Sequence, residues 1–326
     1  MTKEHAMHYL VTGGGGFIGS HIVEELLRRG QRVRVLDNFS TGKRENLLFP
    51  GIPEARQNLE VVEGDICDAA RVRTAMEGID YVLHEAALPS VPRSIADPIS
   101  TNEVNVRGTL NVLLAARDVG VKRLVFASSS SVYGNSVVSP KHEELPTNPL
   151  SPYAVSKLAG ERYCVAFHLA YKLPTACIRY FNVFGPRQDP NSQYSAVIPR
   201  FITALLKGTP PTIYGDGLQS RDFTYVSNVV HANLLACTCE SAVGRVMNVA
   251  CDDEHSLLQL HEELSRILEA KEGPKFEPAR TGDVKHSRAA IDLARRLLGY
   301  SPVVGWEEGL AKTVQYYHNG GGKAPA

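Results

Sequence analysis

Residues 9–20 read YLVTGGGGFIGS, a short apolar run followed at once by a glycine-rich turn. Gly13, Gly16 and Gly19 have the spacing G-x-x-G-x-x-G, and an amphipathic helical pattern continues to residue 29. Glycine adopts backbone dihedrals that other residues avoid, and it lets a phosphate approach the backbone at the positive end of a helix. A strand, a glycine turn and a helix in this order indicate a dinucleotide-binding unit.

The second apolar run ends in Asp37. A carboxylate about 20 residues beyond the glycine turn can accept hydrogen bonds from the hydroxyls of an adenosine ribose. It would repel a 2′-phosphate, so the pattern favours NAD over NADP. Lys43 and Arg44 follow and leave a phosphate-binding alternative open. Asp65 ends a further apolar run, where we expect it either to bind the adenine amino group or to cap a turn.

Short apolar runs alternate with helical patterns through the first half of the chain. The runs that we predict to be buried strands are residues 9–11, 32–36, 59–62, 81–84, 123–127 and 175–179. Strands that alternate with helices form a parallel sheet covered on both faces, with the ligand at the carboxyl ends of the strands. The predicted fold class is α/β, a Rossmann-type doubly wound parallel sheet with a smaller C-terminal α/β substrate domain.

The regular alternation of predicted strands and helices ends after residue 182, where glycines and prolines separate shorter elements. Residues 227–239 and 246–249 still have the patterns of a helix and a strand that belong to the main sheet. We therefore predict an NAD-binding Rossmann domain of residues 1–182 plus 224–252, and a second, substrate-binding domain of residues 183–223 plus 253–326.

The charge balance and the absence of long apolar runs limit the classes of function. Lys plus Arg equal Asp plus Glu at 35 each in 326 residues, which gives no support to nucleic-acid binding. No apolar run approaches the roughly 20 residues of a membrane helix, and the first residues lack the apolar core of a signal peptide. We expect a cytoplasmic protein without a membrane partner. The six cysteines lack metal-site spacing, so we expect no metal.

Tyr153 and Lys157 are four residues apart in a helical pattern, which places phenol and ammonium on one face of the helix. An ammonium nearby stabilises a phenolate, so we expect a Tyr153 pKa below the ordinary value near 10 and a role for Tyr153 as a base. Ser129 and Ser130 follow the apolar run at 123–127. A hydroxyl at a strand's carboxyl end can hold or relay a substrate proton, and a polar loop start is the alternative.

Several specific stretches extend this pattern over nearly the whole chain. They are residues 12–20, 128–134, 153–157, 179–182, 221–223 and 280–283. Together they resemble the extended short-chain dehydrogenase/reductase family, and within it the UDP-hexose 4-epimerases. Residues 88–94 and 182–200 are most similar to epimerases that act on UDP-N-acetylglucosamine. The resemblance implies an isomerase that keeps NAD bound and interconverts UDP-N-acetylglucosamine with UDP-N-acetylgalactosamine, and UDP-glucose with UDP-galactose, through a 4-keto sugar.

The resemblance also implies roles for individual residues, with Tyr153, Lys157 and Ser129 as the catalytic group. The implied cofactor contacts are Gly13, Gly16, Phe17, Ile18, Gly19, Asp37, Asn38, Ser40, Thr41, Gly42, Asp65, Ile66, Ala86, Ala87, Asn105, Tyr153, Lys157 and Tyr180. The implied substrate contacts are Ser90, Ser129, Ser130, Tyr153, Asn182, Ala196, Val197, Tyr214, Arg221, Arg280, Asp283 and Ser287. A homodimer through helices near 101–117 and 152–171 is also implied, although apolar faces there are equally typical of ordinary core.

Ser287 stands where the family has a gate beside the 2-position of the sugar. A small residue there should admit N-acetylated UDP-sugars without excluding plain hexoses. Related dehydratases and decarboxylases carry carboxylates where this chain has Ser130 and Ser131, which makes those reactions unexpected. Two alternatives stay open: a UDP-glucuronate 4-epimerase with the same machinery, and a catalytically silent NAD-binding regulator.

Overall fold

A computed structural model describes residues 6–190, 197–279 and 285–320 of the chain. The strands are β1 (His8–Thr12), β2 (Arg32–Asp37), β3 (Leu59–Glu63), β4 (Tyr81–His84), β5 (Arg123–Ser129), β6 (Thr175–Tyr180), β7 (Val183–Phe184), β8 (Thr212–Tyr214), β9 (Ser220–Arg221), β10 (Thr224–Tyr225), β11 (Arg245–Val249), β12 (His255–Ser256), β13 (Lys275–Glu277) and β14 (His286–Ser287).

The helices lie between these strands and after them. They are α1 (Phe17–Arg28), α2 (Ala55–Asn58), α3 (Ala69–Met76), α4 (Val91–Ala96), α5 (Pro98–Asn102), α6 (Thr109–Val119), α7 (Pro152–Tyr171), α8 (Val197–Leu206), α9 (Val226–Thr238), α10 (Leu257–Leu268), α11 (Asp292–Leu298) and α12 (Trp306–His318). A π-helical segment, Glu103–Gly108, joins α5 to α6, and short 3-10 turns cover Arg44–Leu47, Ser130–Tyr133 and Glu240–Ala242.

A seven-stranded sheet forms the centre of the molecule, in the order β3-β2-β1-β4-β5-β6-β11. Every neighbouring pair in it is parallel. In register, Val11 of β1 lies between Val35 of β2 and Leu83 of β4, and all three side chains are buried. The chain changes direction across the sheet between β1 and β4, and such a switch point opens a crevice at the carboxyl ends of the strands. The predicted fold class is confirmed.

Both faces of the sheet are covered, because each carries its own apolar cluster. Ile22 of α1 and Val229 of α9 belong to the cluster on one face. Val72 of α3, Val112 of α6 and Cys164 of α7 belong to the second cluster. The amphipathic helices predicted from the sequence therefore bury their apolar faces against strands that are themselves apolar on both sides.

The elements after β6 build a third apolar cluster beside the sheet. Phe184, Phe201, Leu260 and Leu310 are buried in it. Ile291, immediately before α11, packs instead in the cluster that contains Ile22, although the predicted division placed it in the second domain. The division into two domains at the stated boundaries remains a prediction.

The cysteines are free thiols: Cys164, Cys177 and Cys237 are buried, as small apolar side chains often are, whereas Cys67, Cys239 and Cys251 are half-buried. Within the described ranges, no group of three or more His, Cys, Asp or Glu side chains is placed to hold a metal ion. None of the helices in that part of the chain has both the length and the apolar character that a membrane crossing requires.

Candidate active site and cofactor cleft

A cleft of about 680 Å³ opens at the carboxyl ends of β1, β2 and β4, where the direction of the chain switches. Most of the cofactor contacts implied by the sequence lie on its wall. They are Gly13, Gly16, Phe17, Ile18, Gly19, Asp37, Asn38, Ser40, Thr41, Gly42, Asp65, Ile66, Ala86, Ala87, Tyr153, Lys157 and Tyr180. Ser90, implied as a substrate contact, lies on the same wall.

The glycine turn is packed so closely that side chains would not fit in it. A Cβ on Gly19 would lie 2.3 Å from the carbonyl oxygen of Gly13. Gly13 has a φ of +70°, and a Cβ there would lie 2.8 Å from the backbone of Ala86. Gly16 precedes the first residue of α1, so the first turn of this helix, with its free amides, forms part of the cleft wall. This cradle fits a pyrophosphate group, and the residues present therefore fit a dinucleotide.

The adenosine end of the cleft is built around Asp37, the last residue of β2. One carboxylate oxygen of Asp37 accepts a hydrogen bond from the Gly15 amide at 2.8 Å, and the other accepts from the Phe39 amide at 2.8 Å. Arg44 ion-pairs with Glu63 and lies over the Phe39 ring, 4.2 Å from its centroid. The structure therefore places one of the two possible phosphate ligands against a carboxylate, while Lys43 lies on the cleft wall.

Asp65 and Asn105 have structural partners. Asp65 accepts hydrogen bonds from the Cys67 amide and the Asn38 side chain, both at 2.8 Å, which is the turn-capping arrangement, and it also lies on the cleft wall. Asn105 does not line the cleft. Its amide group accepts from Leu88 N at 2.7 Å and donates to Leu88 O at 3.1 Å, so it holds the loop after β4 from behind.

Tyr153 and Lys157 lie in the first two turns of α7, on the side that faces the cleft. Ser151 begins this helix by accepting a hydrogen bond from the Ala154 amide. Lys157 Nζ donates to the carbonyl oxygen of Ala127 at 2.8 Å and lies 6.0 Å from the centroid of the Tyr153 ring. Burial lowers the pKa of Lys157 to about 8, against the opposing charge of Glu85. The predicted pairing on one helix face is present.

The environment of Tyr153 differs from the sequence-based expectation. Burial raises the pKa of Tyr153 above its ordinary value, a hydrogen bond with Ser129 lowers it, and the charge of Glu85 raises it further. The expectation of a lowered pKa is therefore wrong, because helical spacing carries no information about desolvation. Any cation that enters the cleft beside Tyr153 would act in the opposite direction.

The serines at the carboxyl end of β5 differ in burial: Ser128 is buried, whereas Ser129 and Ser130 are half-buried. Ser129 ends the strand, and its hydroxyl accepts a hydrogen bond from the Ser131 amide at 3.2 Å. Ser128 lines the cleft, and its hydroxyl donates to Glu161 on α7 at 2.5 Å. Ser130 begins the 3-10 turn and, within the described chain, lines neither cavity.

A second cavity of about 250 Å³ lies among β7, α8, β8 and β9. It gathers four of the implied substrate contacts, namely Asn182, Val197, Tyr214 and Arg221. Asn182 has a φ of +35°, a region in which non-glycine residues are uncommon, and its side chain donates to the Asp222 carbonyl at 3.1 Å. Arg221 donates to the carbonyl of Ser220 at 2.7 Å.

Ser287 is buried in β14, where it pairs with Arg221 of β9, and it lines neither cavity in the part of the chain that the structure describes. Its carbonyl accepts a hydrogen bond from the Asp222 amide at 2.7 Å. The gate assigned to Ser287 thus remains a prediction. Ala196, Arg280 and Asp283 lie outside the described residues.

Five charged residues at these cavities were missed in the sequence analysis: Glu85, Arg93, Arg187 and Asp189 on the cleft wall, and Arg200 in the smaller cavity. Glu85 had a readable signal, because it directly follows β4 at the strand's carboxyl end. Arg187 and Arg200 lie in a segment whose path could not be deduced from local patterns.

The comparisons with known proteins agree with this geometry. The model of the NAD dependent epimerase/dehydratase family matches residues 9–250. A UDP-glucose 4-epimerase from Mycolicibacterium smegmatis is 40% identical over 315 residues, covering 96% of this chain and 99% of that protein.

Two solved structures are similar over almost the whole chain. A UDP-N-acetylglucosamine 4-epimerase from Methanobrevibacter ruminantium M1, in complex with UDP-N-acetylmuramic acid, has a TM-score of 0.92 and 41% identity over 97% of this chain and 100% of that one. A UDP-glucuronic acid 4-epimerase from Bacillus cereus, in complex with UDP-glucuronic acid and NAD, has a TM-score of 0.87 and 32% identity over 96% and 99%.

The match to the family model includes every strand of the parallel sheet except the first residue of β1, together with the glycine turn and the Tyr153–Lys157 pair. The cofactor is NAD, which the cradle and Asp37 fit. The chain belongs to the NAD dependent epimerase/dehydratase family.

Proposed function

We propose that this protein is an isomerase, a UDP-sugar 4-epimerase that retains NAD through the reaction. The observation that carries the proposal is the convergence of Tyr153, Lys157 and the glycine turn on one cleft, beside a second cavity that holds Tyr214 and Arg221. The first cavity has the residues for a dinucleotide and for proton transfer. The second has a guanidinium suited to phosphates and an aromatic ring suited to a base.

The residues of the cleft divide the chemistry between them. NAD, when bound, supplies the reversible oxidation of the sugar carbon, so no external oxidant is consumed. Tyr153 takes the proton of the sugar's 4-hydroxyl as that carbon becomes a ketone, and returns a proton when the alcohol forms again. Ser129, whose hydroxyl lowers the pKa of Tyr153, would hold the same oxygen. Lys157 provides positive charge on the same helix face.

The second cavity explains how both faces of the sugar can react. A nucleotide held by Arg221 and Tyr214 leaves the sugar free to turn about its phosphate linkage and to present its other face to Tyr153. Reduction from that face gives the 4-epimer, with no net redox change. Dehydration and decarboxylation are not proposed, because Ser130 and Ser131 carry no carboxylate.

We favour N-acetylated UDP-sugars as substrates, with UDP-glucose and UDP-galactose also accepted, since Ser287 is small. The similarity to a UDP-glucuronic acid 4-epimerase keeps the uronate as the second candidate. A catalytically silent NAD-binding regulator would not need the Tyr153–Lys157 pair.

Parallel incubations with UDP-N-acetylglucosamine, UDP-glucose and UDP-glucuronate, without added NAD, test the proposal when the products are separated by chromatography. Formation of the 4-epimer from either of the first two supports it and shows that NAD is retained. Conversion of the uronate alone selects the second candidate. If no sugar is converted even with NAD supplied, the family assignment stands but the proposed sugar or reaction is wrong.

We also propose a homodimer and a cytoplasmic location, both expected from the sequence. Exposed apolar side chains on α6 and α7, among them Leu114, Val155, Tyr163 and Leu169, support a contact through these helices. Sedimentation of the wild type and of a Val155→Glu variant tests the contact, because a charge there should favour the monomer.

A further inference from the structure

Glu85 places a carboxyl group in the catalytic end of the cleft, where the proposed chemistry assigns it no role. It directly follows β4, the strand beside β1 at the switch point, and it lies half-buried on the same wall as Tyr153, Lys157 and Tyr180. An acidic side chain in this position requires a hydrogen-bond or charge partner.

The Glu85 carboxyl is fixed by a chain of hydrogen bonds from two other elements. The hydroxyl of Tyr180, in β6, donates to Glu85 at 2.8 Å. The side-chain amide of Asn233, in α9, donates to the Tyr180 hydroxyl at 2.8 Å. Asn233 is fully buried and also donates to the Val229 carbonyl at 2.9 Å, so the far end of the chain is anchored in the core. The carboxyl therefore has a defined position.

Lys157 lacks a compensating charge in its direct contact, because its ammonium donates to the neutral carbonyl of Ala127. It is only 5% exposed. A buried charge of this kind is strongly destabilising unless an opposite charge is near. Glu85 lies on the same cleft wall as Lys157, without a direct ion pair to it among the described residues, and the charges of the two groups act on each other.

The other ionisable groups around Glu85 do not supply that charge. His84, the preceding residue, hydrogen-bonds Thr12 and Thr109 through its two ring nitrogens, and burial lowers its pKa to about 3, so it is neutral. Burial raises the pKa of Tyr180 well above its ordinary value and that of Cys237 to about 12.

We propose that Glu85 is a positioning residue for the epimerase reaction: held by Tyr180 and Asn233, it is the counter-ion of Lys157 and sets the protonation state of the Tyr153–Lys157 pair. The inference rests on the proposed epimerase function for its kinetic test only.

The direction of the effect follows from the charges. Burial raises the pKa of Glu85 to about 7, against the Tyr180 hydrogen bond and the charge of Lys157. Above that pH the carboxylate raises the pKa of Lys157 and also raises the pKa of Tyr153. A neutral side chain at this position should therefore lower both pKa values together.

The first experiment compares the dependence of kcat on pH in the wild type and in Glu85→Gln. Glutamine keeps an oxygen that can accept from Tyr180 but has no charge. We expect both limbs of the profile, the one that reports Tyr153 and the one that reports Lys157, to move to lower pH by about one unit. A merely structural role would lower kcat by the same factor at every pH. A profile in the wild-type position would therefore overturn the proposal, whatever the value of kcat.

Two further variants control for the loss of a carboxylate as such. Glu85→Asp keeps the charge, so its profile should stay closer to the wild type than to Glu85→Gln; the reverse order would contradict the proposal. Glu143→Gln removes another carboxyl whose pKa is raised by burial, one that accepts from the Asn248 amide and is not among the groups acting on Lys157. Its profile should not move, and an equal shift in Glu143→Gln would also contradict the proposal.

A titration without turnover separates this inference from the proposed function. The phenolate absorbance of Tyr153 is obtained as the difference between each protein and the same protein carrying Tyr153→Phe. In Glu85→Gln the titration of Tyr153 should begin at lower pH than in the wild type. An unchanged titration would overturn the role of Glu85 even if epimerisation is observed, and a shifted one would support it even if the sugar is wrongly identified.

Discussion

Gly19 has no room for a side chain, and this is what allows the glycine turn to close under the cleft. A Cβ there would lie 2.3 Å from Gly13 O, which is backbone and cannot move aside as a flexible side chain would. Overpacking of this kind costs roughly 1–3 kcal/mol, so Gly19→Ala should weaken NAD binding by about tenfold to a hundredfold. The NAD released on denaturing the purified protein measures this. Gly51→Ala, where a Cβ would meet no neighbouring atom within 4 Å, should retain the wild-type NAD content. Equal NAD contents in the two variants would contradict the role of the glycine turn in holding NAD.

Tyr153 is the residue whose loss should stop turnover while leaving the cofactor in place. Without the phenol oxygen no group at this position can take the sugar proton, and loss of a general base lowers kcat by about 10²–10⁴-fold. Tyr153→Phe should therefore be nearly inactive with an unchanged NAD content. Tyr171→Phe alters an exposed tyrosine at the other end of the same helix and should keep full activity. A Tyr153→Phe kcat within a few fold of the wild type would remove Tyr153 from the mechanism.

The same two positions show how far single residues can be understood from the sequence. The spacing of Tyr153 and Lys157 predicts a shared helix face, and they share one. The pKa of Tyr153 is shifted upward where the prediction was a downward shift, because burial and the charge of Glu85, which follows β4, depend on distant parts of the chain that no local spacing contains. Glu85 was missed for the same reason: its importance comes from Lys157, which is distant along the chain.

The contact between α7 and β6 depends on an ion pair that is almost completely buried. Arg179 Nε and Nη2 each donate to Glu161 at 2.8 Å, and the two side chains are 4% and 1% exposed. Removing one partner of such a pair costs about 3–5 kcal/mol, whereas replacing both by apolar groups is often neutral. We expect Glu161→Gln to lower the free energy of unfolding in urea by that amount.

The matched variant carries Arg179→Met together with Glu161→Leu, which leaves no buried charge. It should recover most of the stability that Glu161→Gln loses. If the double variant is instead the less stable of the two, the pair itself stabilises the fold, and desolvation of the lone Arg179 is not the cause of the loss.

Whole strands and helices were predictable where their own residues determine burial. The apolar run at 81–84 coincides with β4 (Tyr81–His84), since a strand covered on both faces needs apolar residues throughout. The two-residue strand β9 was not predictable. It pairs with β12 and with β14, and the Ser220 hydroxyl also hydrogen-bonds to the side chains of Glu254 and His286, which are 34 and 66 residues further along the chain. Such pairings arise only in the folded chain.

Considered as a whole, the molecule connects its third apolar cluster to the cofactor cleft through residues 185–190. His21 of α1 hydrogen-bonds to the Pro186 carbonyl at 2.9 Å, and Arg187 ion-pairs with Glu24 of the same helix. From the other side, the Tyr317 hydroxyl of α12 donates to the Gln188 carbonyl. Because Arg187 and Gln188 line the cleft, this segment connects α12 to α1 at the wall of the cofactor site.

An epimerase that returns the sugar to its original oxidation state gains nothing from releasing NAD. The contacts of residues 185–190 with α1 and α12 should therefore slow the exchange of the cofactor. Hydrogen bonds to charged groups contribute about 1.5–3 kcal/mol, and we expect Arg187→Ala to speed NAD release by about tenfold or more. Exchange of bound NAD for labelled NAD after gel filtration measures the rate directly. Arg28→Ala removes the other, exposed partner of Glu24 and should leave release unchanged. Equal release rates in the wild type and Arg187→Ala would mean that NAD is retained by the glycine cradle and Asp37 alone, without help from residues 185–190.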